Sequence, residues 1–447
     1  MRQLQRILVI LILMNSCFTT VKANNINTKL FGSVNYYICD DGDDTNNGRS
    51  PDTPWKTFDK GIRHFSKLNA GDSIKFCRGG EFHLEDSIRI YNRKCLAEKP
   101  CTITDYLPSN LESGKRPIII SPTGGTIFNF MDGGYADPDG GYVVKNINLQ
   151  ATQAGKGHGQ PAIFLYNDVD DVTIENLKIE GFGIGIQSTG GSNPAPGSNI
   201  INERIVLKNS EIINNYNFGW LGGCSDCVID SNVFDNNGFR RTILNHNIYF
   251  SGENKVGNSN VVISNNHLTK SAIVDGKCQG VSLVVHGVVE NIRIENNLIQ
   301  EEINKAHETC WGIAVDPGWD SEEKFENVVI KKNTLINTGN VAIGCGSCVN
   351  VLIEDNMIFH GQEFSVSAIK IPTKKEDSIK SSRFTIRNNT IVLLNMAYKN
   401  RAINIKSAVI RDGGINNNSL YSINKNDVCI LLDNVEYKDT SSCQQFH

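Results

Sequence analysis

One short phrase recurs along the chain and limits its fold more than any other feature. It runs aliphatic, any residue, Asn or a polar stand-in, a second polar residue, then an aliphatic two further on. The phrase is plainest at Val261 to Leu268 and at Asn291 to Ile299. It returns at Ile174-Glu175-Asn176, Leu207-Lys208-Asn209, Ile229-Asp230-Ser231-Asn232, Ile330-Lys331-Lys332-Asn333, Ile353-Glu354-Asp355-Asn356 and Ile386-Arg387-Asn388-Asn389. Ile174 to Ile386 covers seven intervals of about 30 residues, uneven because the connecting loops differ, which is the mark of a solenoid.

Ahead of each phrase lies a brief β-branched run bounded by Gly, Asn or Ser. Ala162 to Leu165, Gly183 to Ile186, Phe218 to Leu221, His246 to Phe250, Val281 to Val285, Gly312 to Val315, Val341 to Gly344, Ala368 to Ile371, Ala402 to Ile405 and Val428 to Leu431 all read as strands. Two strands per repeat, with no helical spacing between them and no leucine framework, fit a parallel β-helix better than a leucine-rich-repeat horseshoe. Successive coils then stack as parallel sheets, and the Asn of each phrase is placed to form a ladder with its neighbours inside the turns.

At the amino terminus Arg2 and Arg6 precede the apolar run Ile7 to Leu13, and Val21-Lys22-Ala23 resembles a cleavage site, so residues 1–23 read as a secretory signal. The run is too short for the ~20 residues of a membrane span. The expectation is therefore a secreted or periplasmic protein without a membrane anchor once the signal is removed. Cleavage would also remove Cys17 and leave twelve of the 13 cysteines, an even number suited to disulfides in an oxidising compartment. The CxxC pairs Cys224/Cys227 and Cys345/Cys348 lie four repeats apart, roughly 19 Å at ~4.8 Å per coil, too far to share a metal. A net charge of -4 and a pI of 6.2 advertise no basic face for nucleic acid.

Residues 36 to 58 differ from the repeats. Tyr36-Tyr37-Ile38-Cys39 leads into the acidic loop Asp40 to Gly48, then Ser50-Pro51-Asp52-Thr53-Pro54-Trp55-Lys56-Thr57-Phe58. This stretch resembles the N-terminal signature of the secreted right-handed parallel β-helix superfamily, which includes pectate and alginate lyases and epimerases. The resemblance implies an all-β, right-handed parallel β-helix solenoid with an N-terminal helical cap, and Phe58 to Leu68 has the helical spacing for that cap. The organisation expected is signal at 1–23, cap and irregular first coils at 24–115, and β-helix body at 116–447. The acidic loop is oxygen-rich, which makes Ca²⁺ a possible cofactor there, but it lacks the EF-hand Glu, and an Asx-stabilised turn is the simpler reading.

Chemistry is sought on the outward positions of the strands that precede the phrases. Alternation turns Ile248, Phe250, Leu283, Val285, Ile313 and Val315 inward. One outward column is then Tyr249, Val284, Ala314, Gly344 and Lys370, and the next is Ser251, His286, Asp316 and Gly346. His286 beside Asp316 suggests a general base oriented by a carboxylate, with Tyr249 as acid or second base. Arg241, His246, Lys370 and Trp311 are the candidate substrate-binding residues: cations for sugar carboxylates, rings for sugar faces. His246 shares the parity of inward Ile248, so a buried structural histidine is an equal reading.

The leading expectation is an exported enzyme acting on an acidic polysaccharide by proton abstraction, a lyase or C5-epimerase. The alternatives are a glycoside hydrolase, which needs two carboxylates where only Asp316 faces outward in this register, and a non-catalytic glycan-binding or adhesive surface β-helix.

Overall fold

The computed structural model describes residues 32–109, 111–132, 139–152, 159–190, 200–239, 244–252, 257–318, 322–372, 378–406, 409, 413–438 and 445–446. The segment read as a signal lies outside them. Residues 33–447 form one compact unit, a parallel β-helix. Among the described residues its walls are three long sheets of 14, 13 and 12 strands, each coil contributing a strand to each wall.

The repeat thus holds three strands where the sequence suggested two. The phrase at Val261 to Leu268 is itself a corner. Asn258–Ser264 belongs to the first wall, His267–Thr269 to the second, and Asn265 and Asn266 turn between them. Asn265 takes a φ of 56°, in the left-handed region that Asn tolerates. Ser231, Asn296, Lys332, Asp355 and Asn388 occupy the same corner in other coils, also at positive φ. The third wall is made of the strands expected from the β-branched runs, among them His246–Ser251, Leu283–His286 and Ile313–Val315.

Two stacks hold the coils together. Ile263, Ile294, Ile330, Ile353 and Ile386 pair in register, all fully buried. Beside them runs a buried asparagine ladder. The backbone N–H and Nδ2 of Asn266 both donate to Asn297 Oδ1 at 3.0 Å, while Nδ2 also donates to the Ile229 carbonyl at 2.8 Å. The same pattern continues through Asn333, Asn356, Asn389 and Asn418, so each corner satisfies the backbone of its neighbours where water cannot reach.

At the amino-terminal end the expected cap is present as an α-helix, Phe58–His64, continued by a 3₁₀ turn, Phe65–Lys67. The hydroxyl of Thr57 caps it by accepting from Lys60 N, and Phe58 packs on Phe76 and Phe128 over the end of the core. Gly61 allows this approach, since a Cβ there would lie 2.0 Å from Ile38 Cδ1. In the acidic loop the carboxylates act as turn caps. Asp43 accepts from the N–H and hydroxyl of Thr45, and Asp44 accepts from Lys56 N and from the N–H and hydroxyl of Thr57.

The cysteines pair as Cys39–Cys77, Cys95–Cys101, Cys224–Cys227, Cys278–Cys310 and Cys345–Cys348, and Cys429 is also disulfide-bonded. Both CxxC motifs are therefore local disulfides, and the pattern fits an extracellular setting. Among the described residues no helix is long and apolar enough to cross a membrane.

Candidate functional site

The outward columns have the register read from alternation. Tyr249 pairs with Val284, Val284 with Ala314, Ala314 with Gly344 and Gly344 with Lys370; Ser251 pairs with His286. Asp316 follows directly, its N–H donating to the Val285 carbonyl at 3.3 Å. Over these columns lies a cavity of about 700 Å³. His246, Tyr249, His286, Trp311 and Asp316 all line it, with an apolar floor that includes Phe218, Leu221, Val284 and Ala314.

His286 is nearly buried and held by the backbone rather than by the Asp316 side chain. Its Nδ1 lies 2.7 Å from the Asp316 carbonyl oxygen. A carbonyl only accepts, so Nδ1 carries a proton, and in the neutral form of the ring Nε2 is the accepting atom. The contact found between the expected partners His286 and Asp316 is thus with the Asp316 backbone. The carboxylate behind the ring is Glu323, with Oε2 3.5 Å from Nδ1 and a side chain fully sealed from solvent. Glu323 is fixed by Gly287 N at 2.7 Å and Gly318 N at 3.1 Å. Asp316 is half-buried at the cavity wall.

The sequence reading missed Glu323 because it lies on no outward column. It directly precedes the Lys324–Lys331 strand and lies beside His286. Gly318 lies so close to His286 that a Cβ there would be 2.3 Å from Cε1.

Tyr249 has its ring 5.2 Å from that of His286 and 5.5 Å from that of His246, stacked on the latter. His246 resolves its two readings in one position, buried yet on the cavity wall. Asn247 beside it joins the interior ladder, its amide oxygen accepting from Asn237 Nδ2, while His246 lines the cavity. Its Nδ1 donates to the Val281 carbonyl at 3.0 Å. Burial pushes its pKa down to about 3, against the opposing pull of that carbonyl and with help from His286, so the ring is neutral at physiological pH.

Trp311 donates from Nε1 to Asn340 Oδ1 at 2.7 Å and covers Gly344, while Lys370 Nζ sits 5.8 Å from the indole centroid. The Cys278–Cys310 disulfide ends one residue before Trp311 and ties its loop to the Lys277–Cys278 strand. Lys370 is thus at the far side of the indole and not on the cavity wall. Arg241 lies outside the described residues. Asn245, also missed from sequence, lines the cavity at 3% exposure, and its Nδ2 has no hydrogen-bond partner. Among the described residues no Lys or Arg side chain lines this cavity.

The cysteine–carboxylate clusters offer no metal site, because the sulfurs of Cys39/Cys77 beside Asp40 and of Cys278/Cys310 beside Glu301 are already bonded to each other.

No family model matches the chain. A lacto-N-biosidase of Bifidobacterium longum subsp. longum is 30% identical over 148 residues, which is 33% of this chain and only 8% of that protein. Among solved structures, the surface adhesin PfbA of Streptococcus pneumoniae superposes with a TM-score of 0.57 at 13% identity, covering 86% of this chain and 89% of that one. The Dettilon tailspike protein does so with a TM-score of 0.53 at 13% identity, covering 82% and 65%. At such identities these two structures share the fold.

Proposed function

We propose that this protein is an extracellular glycan-cleaving enzyme whose substrate at the bond cut is a neutral sugar, hydrolysed between Asp316 and His286. The observation that carries the reading is the make-up of the cavity: an acidic side chain and a neutral imidazole on one wall, aromatic rings on the floor, and no lining cation among the described residues. A uronate lyase needs a cation to neutralise the enolate-like intermediate, and among the described residues none lines the wall; Arg241 lies outside them. We therefore take a neutral glycan as the substrate class to test first, with the expected acidic polysaccharide as the second. The partial likeness to a lacto-N-biosidase supports a glycosidase.

In this mechanism Tyr249, Phe218 and Trp311 offer faces to sugar rings, and Asn245 Nδ2 donates to a hydroxyl. The carboxyl of Asp316 protonates the departing glycosidic oxygen. His286 Nε2 takes the place of the second carboxylate and accepts a proton from the attacking water, and buried Glu323, 3.5 Å from Nδ1, stabilises the imidazolium that forms. The proton gained by His286 and the one lost by Asp316 balance over one turnover, so the pair is reset through solvent.

The test is a panel of neutral and uronate-containing oligosaccharides, read both for new reducing ends and for the ultraviolet absorbance of an unsaturated product. Reducing ends without that absorbance, lost in Asp316→Asn and in His286→Ala, are expected. One observation favours a second reading: Lys370 on Trp311 is a cation one side chain from the wall. Unsaturated product that disappears in Lys370→Ala would establish β-elimination instead. Binding without any product would leave a non-catalytic glycan receptor.

A further inference from the structure

We infer that the cavity is the end of a longer groove that binds a linear neutral oligosaccharide along the solenoid axis, with a separate sugar subsite over Gln187, Ser251 and Asn258 and a stacking platform at Phe164 and Tyr166. The inference rests on the glycan reading above but not on which bond is cut.

The columns that hold the catalytic candidates run on toward the amino-terminal coils. Tyr249 pairs with Leu221, Leu221 with Gln187 and Gln187 with Phe164. In the next column Thr189 pairs with Tyr166. Each step is one strand spacing, ~4.8 Å, about the length of a pyranose unit in an extended chain. Phe164 is thus three steps, roughly 14 Å, from Tyr249 on the same outward face.

Between them lies a second cavity of about 200 Å³ that shares Leu221 and Tyr249 with the first, so the two are adjoining sections of one surface. Its depth comes from Gly222 and Gly223. Gly222 has a φ of 104°, and a Cβ on Gly223 would lie 2.3 Å from the Ser251 carbonyl and 2.5 Å from Asn258 Oδ1. Asn258 lines this pocket at 5% exposure, and its Oδ1 has no hydrogen-bond partner. A buried acceptor left without a donor is costly, and a sugar hydroxyl in the pocket would supply the donor. Gln187 and Ser251 add polar groups on the same wall. One coil beyond Gln187, Phe164 and Tyr166 stand half-buried with ring centroids 5.3 Å apart, a surface for the face of a further sugar. The succession of pocket, polar pocket and aromatic platform at sugar-length steps selects a chain over a compact disaccharide.

The test uses neutral series of two, four and six units derived from xylan, laminarin, N-acetylchitin and poly-N-acetyllactosamine. Affinity is measured by calorimetry on Asp316→Asn, which blocks turnover, and cleavage is measured on the otherwise unaltered enzyme. Gln187→Ala and the double variant Phe164→Ala/Tyr166→Ala, all half-buried surface positions, are introduced into both backgrounds, with melting temperatures recorded. At least one series should gain about tenfold in affinity from two units to six, a gain of about 1.4 kcal/mol. Both variants should erase that gain and leave two-unit binding unchanged. Equal affinity at all lengths, retention of the gain in the variants, or no binding by any series overturns the groove. Length-dependent binding without cleavage overturns the hydrolase and keeps the groove; cleavage with no effect of length does the reverse.

Discussion

The asparagine ladder allows a prediction whose size follows from the hydrogen bonds. Asn333 is fully buried; its Oδ1 accepts from Asn297 N and Nδ2, both at 3.0 Å, and its Nδ2 donates to the Ile294 carbonyl at 2.9 Å and to Asn356 Oδ1 at 3.0 Å. Asn333→Ala removes all four. Asn297 Nδ2 keeps the Ile263 carbonyl and Asn356 Oδ1 keeps the backbone N–H of residue 333, so those two losses are partial. The Asn297 N–H is left without its acceptor in a site sealed from water, at about 1–3 kcal/mol, and the remaining losses add about 1 kcal/mol each. The expected cost is about 4–6 kcal/mol. The control is Asn327→Gly in the outer ladder, where Asn327 Nδ2 donates to Asn291 and its Oδ1 accepts from Asn350, but in solvent. Glycine keeps the positive φ of that position, 56°, and water replaces the lost partners, so under ~1 kcal/mol is expected. Guanidinium unfolding followed by circular dichroism, with the slope checked against the parent, and hydrogen exchange at the Asn297 amide give the comparison. Equal costs for the two variants, or an Asn297 amide still protected in Asn333→Ala, would refute the idea that burial rather than hydrogen-bond number makes the inner ladder stabilising.

Three other outcomes follow from the structure. Burial raises the Glu301 carboxyl from 4.5 to about 8, opposed by hydrogen bonds from Lys270 N and Ser271 N; the folded state therefore holds a proton that the unfolded state releases, and stability is present below about pH 4.5 and lost as pH rises through 8. At ~1.4 kcal/mol per unit the loss is at most about 5 kcal/mol, and Glu301→Gln should flatten the melting-temperature profile between these limits; an unchanged profile would count against it. Gly318→Ala should displace the His286 ring, lowering kcat at least tenfold while the melting temperature stays within a few degrees, and a fully active variant would show that the ring's position is not critical. Trp311→Ala removes a sugar-facing ring and should raise KM by about tenfold, worth ~1.4 kcal/mol, with little change in kcat; an effect confined to kcat would place the indole elsewhere in the mechanism.

Much of the scaffold was legible because its causes are local or periodic. The β-branched runs became the third wall, and Tyr249, Val284, Ala314, Gly344 and Lys370 fell into one column, since alternation on a strand and stacking of coils leave a single register. The corner was less legible. VVISNNHL reads as one strand with a polar tail, and only the left-handed Asn265 between Ser264 and Asn266 divides it into two walls. His246 was ambiguous for a similar reason: parity assumes strict alternation, whereas here Asn247 joins the ladder and His246 lines the cavity. The cavity residues His286, Asp316, Tyr249, His246 and Trp311 were reached from sequence because they sit on or beside the columns, whereas Asn245 and Glu323 come from the loops that close onto them.

The sequence by itself determined the coil, the axis of stacking, the helical cap and the outward face, because repeat period, strand alternation and the Asn of each corner act over a few residues and are then copied along the chain. Tertiary structure alone decided how the imidazole of His286 is held. Nothing in local spacing says that the Asp316 backbone would take Nδ1, that Glu323 would close in behind it, or that Lys370 would settle on Trp311 rather than line the cavity. Those contacts depend on the path of loops between coils, and a loop's path is set by where its two ends are pinned and what it packs against, which the repeat does not encode.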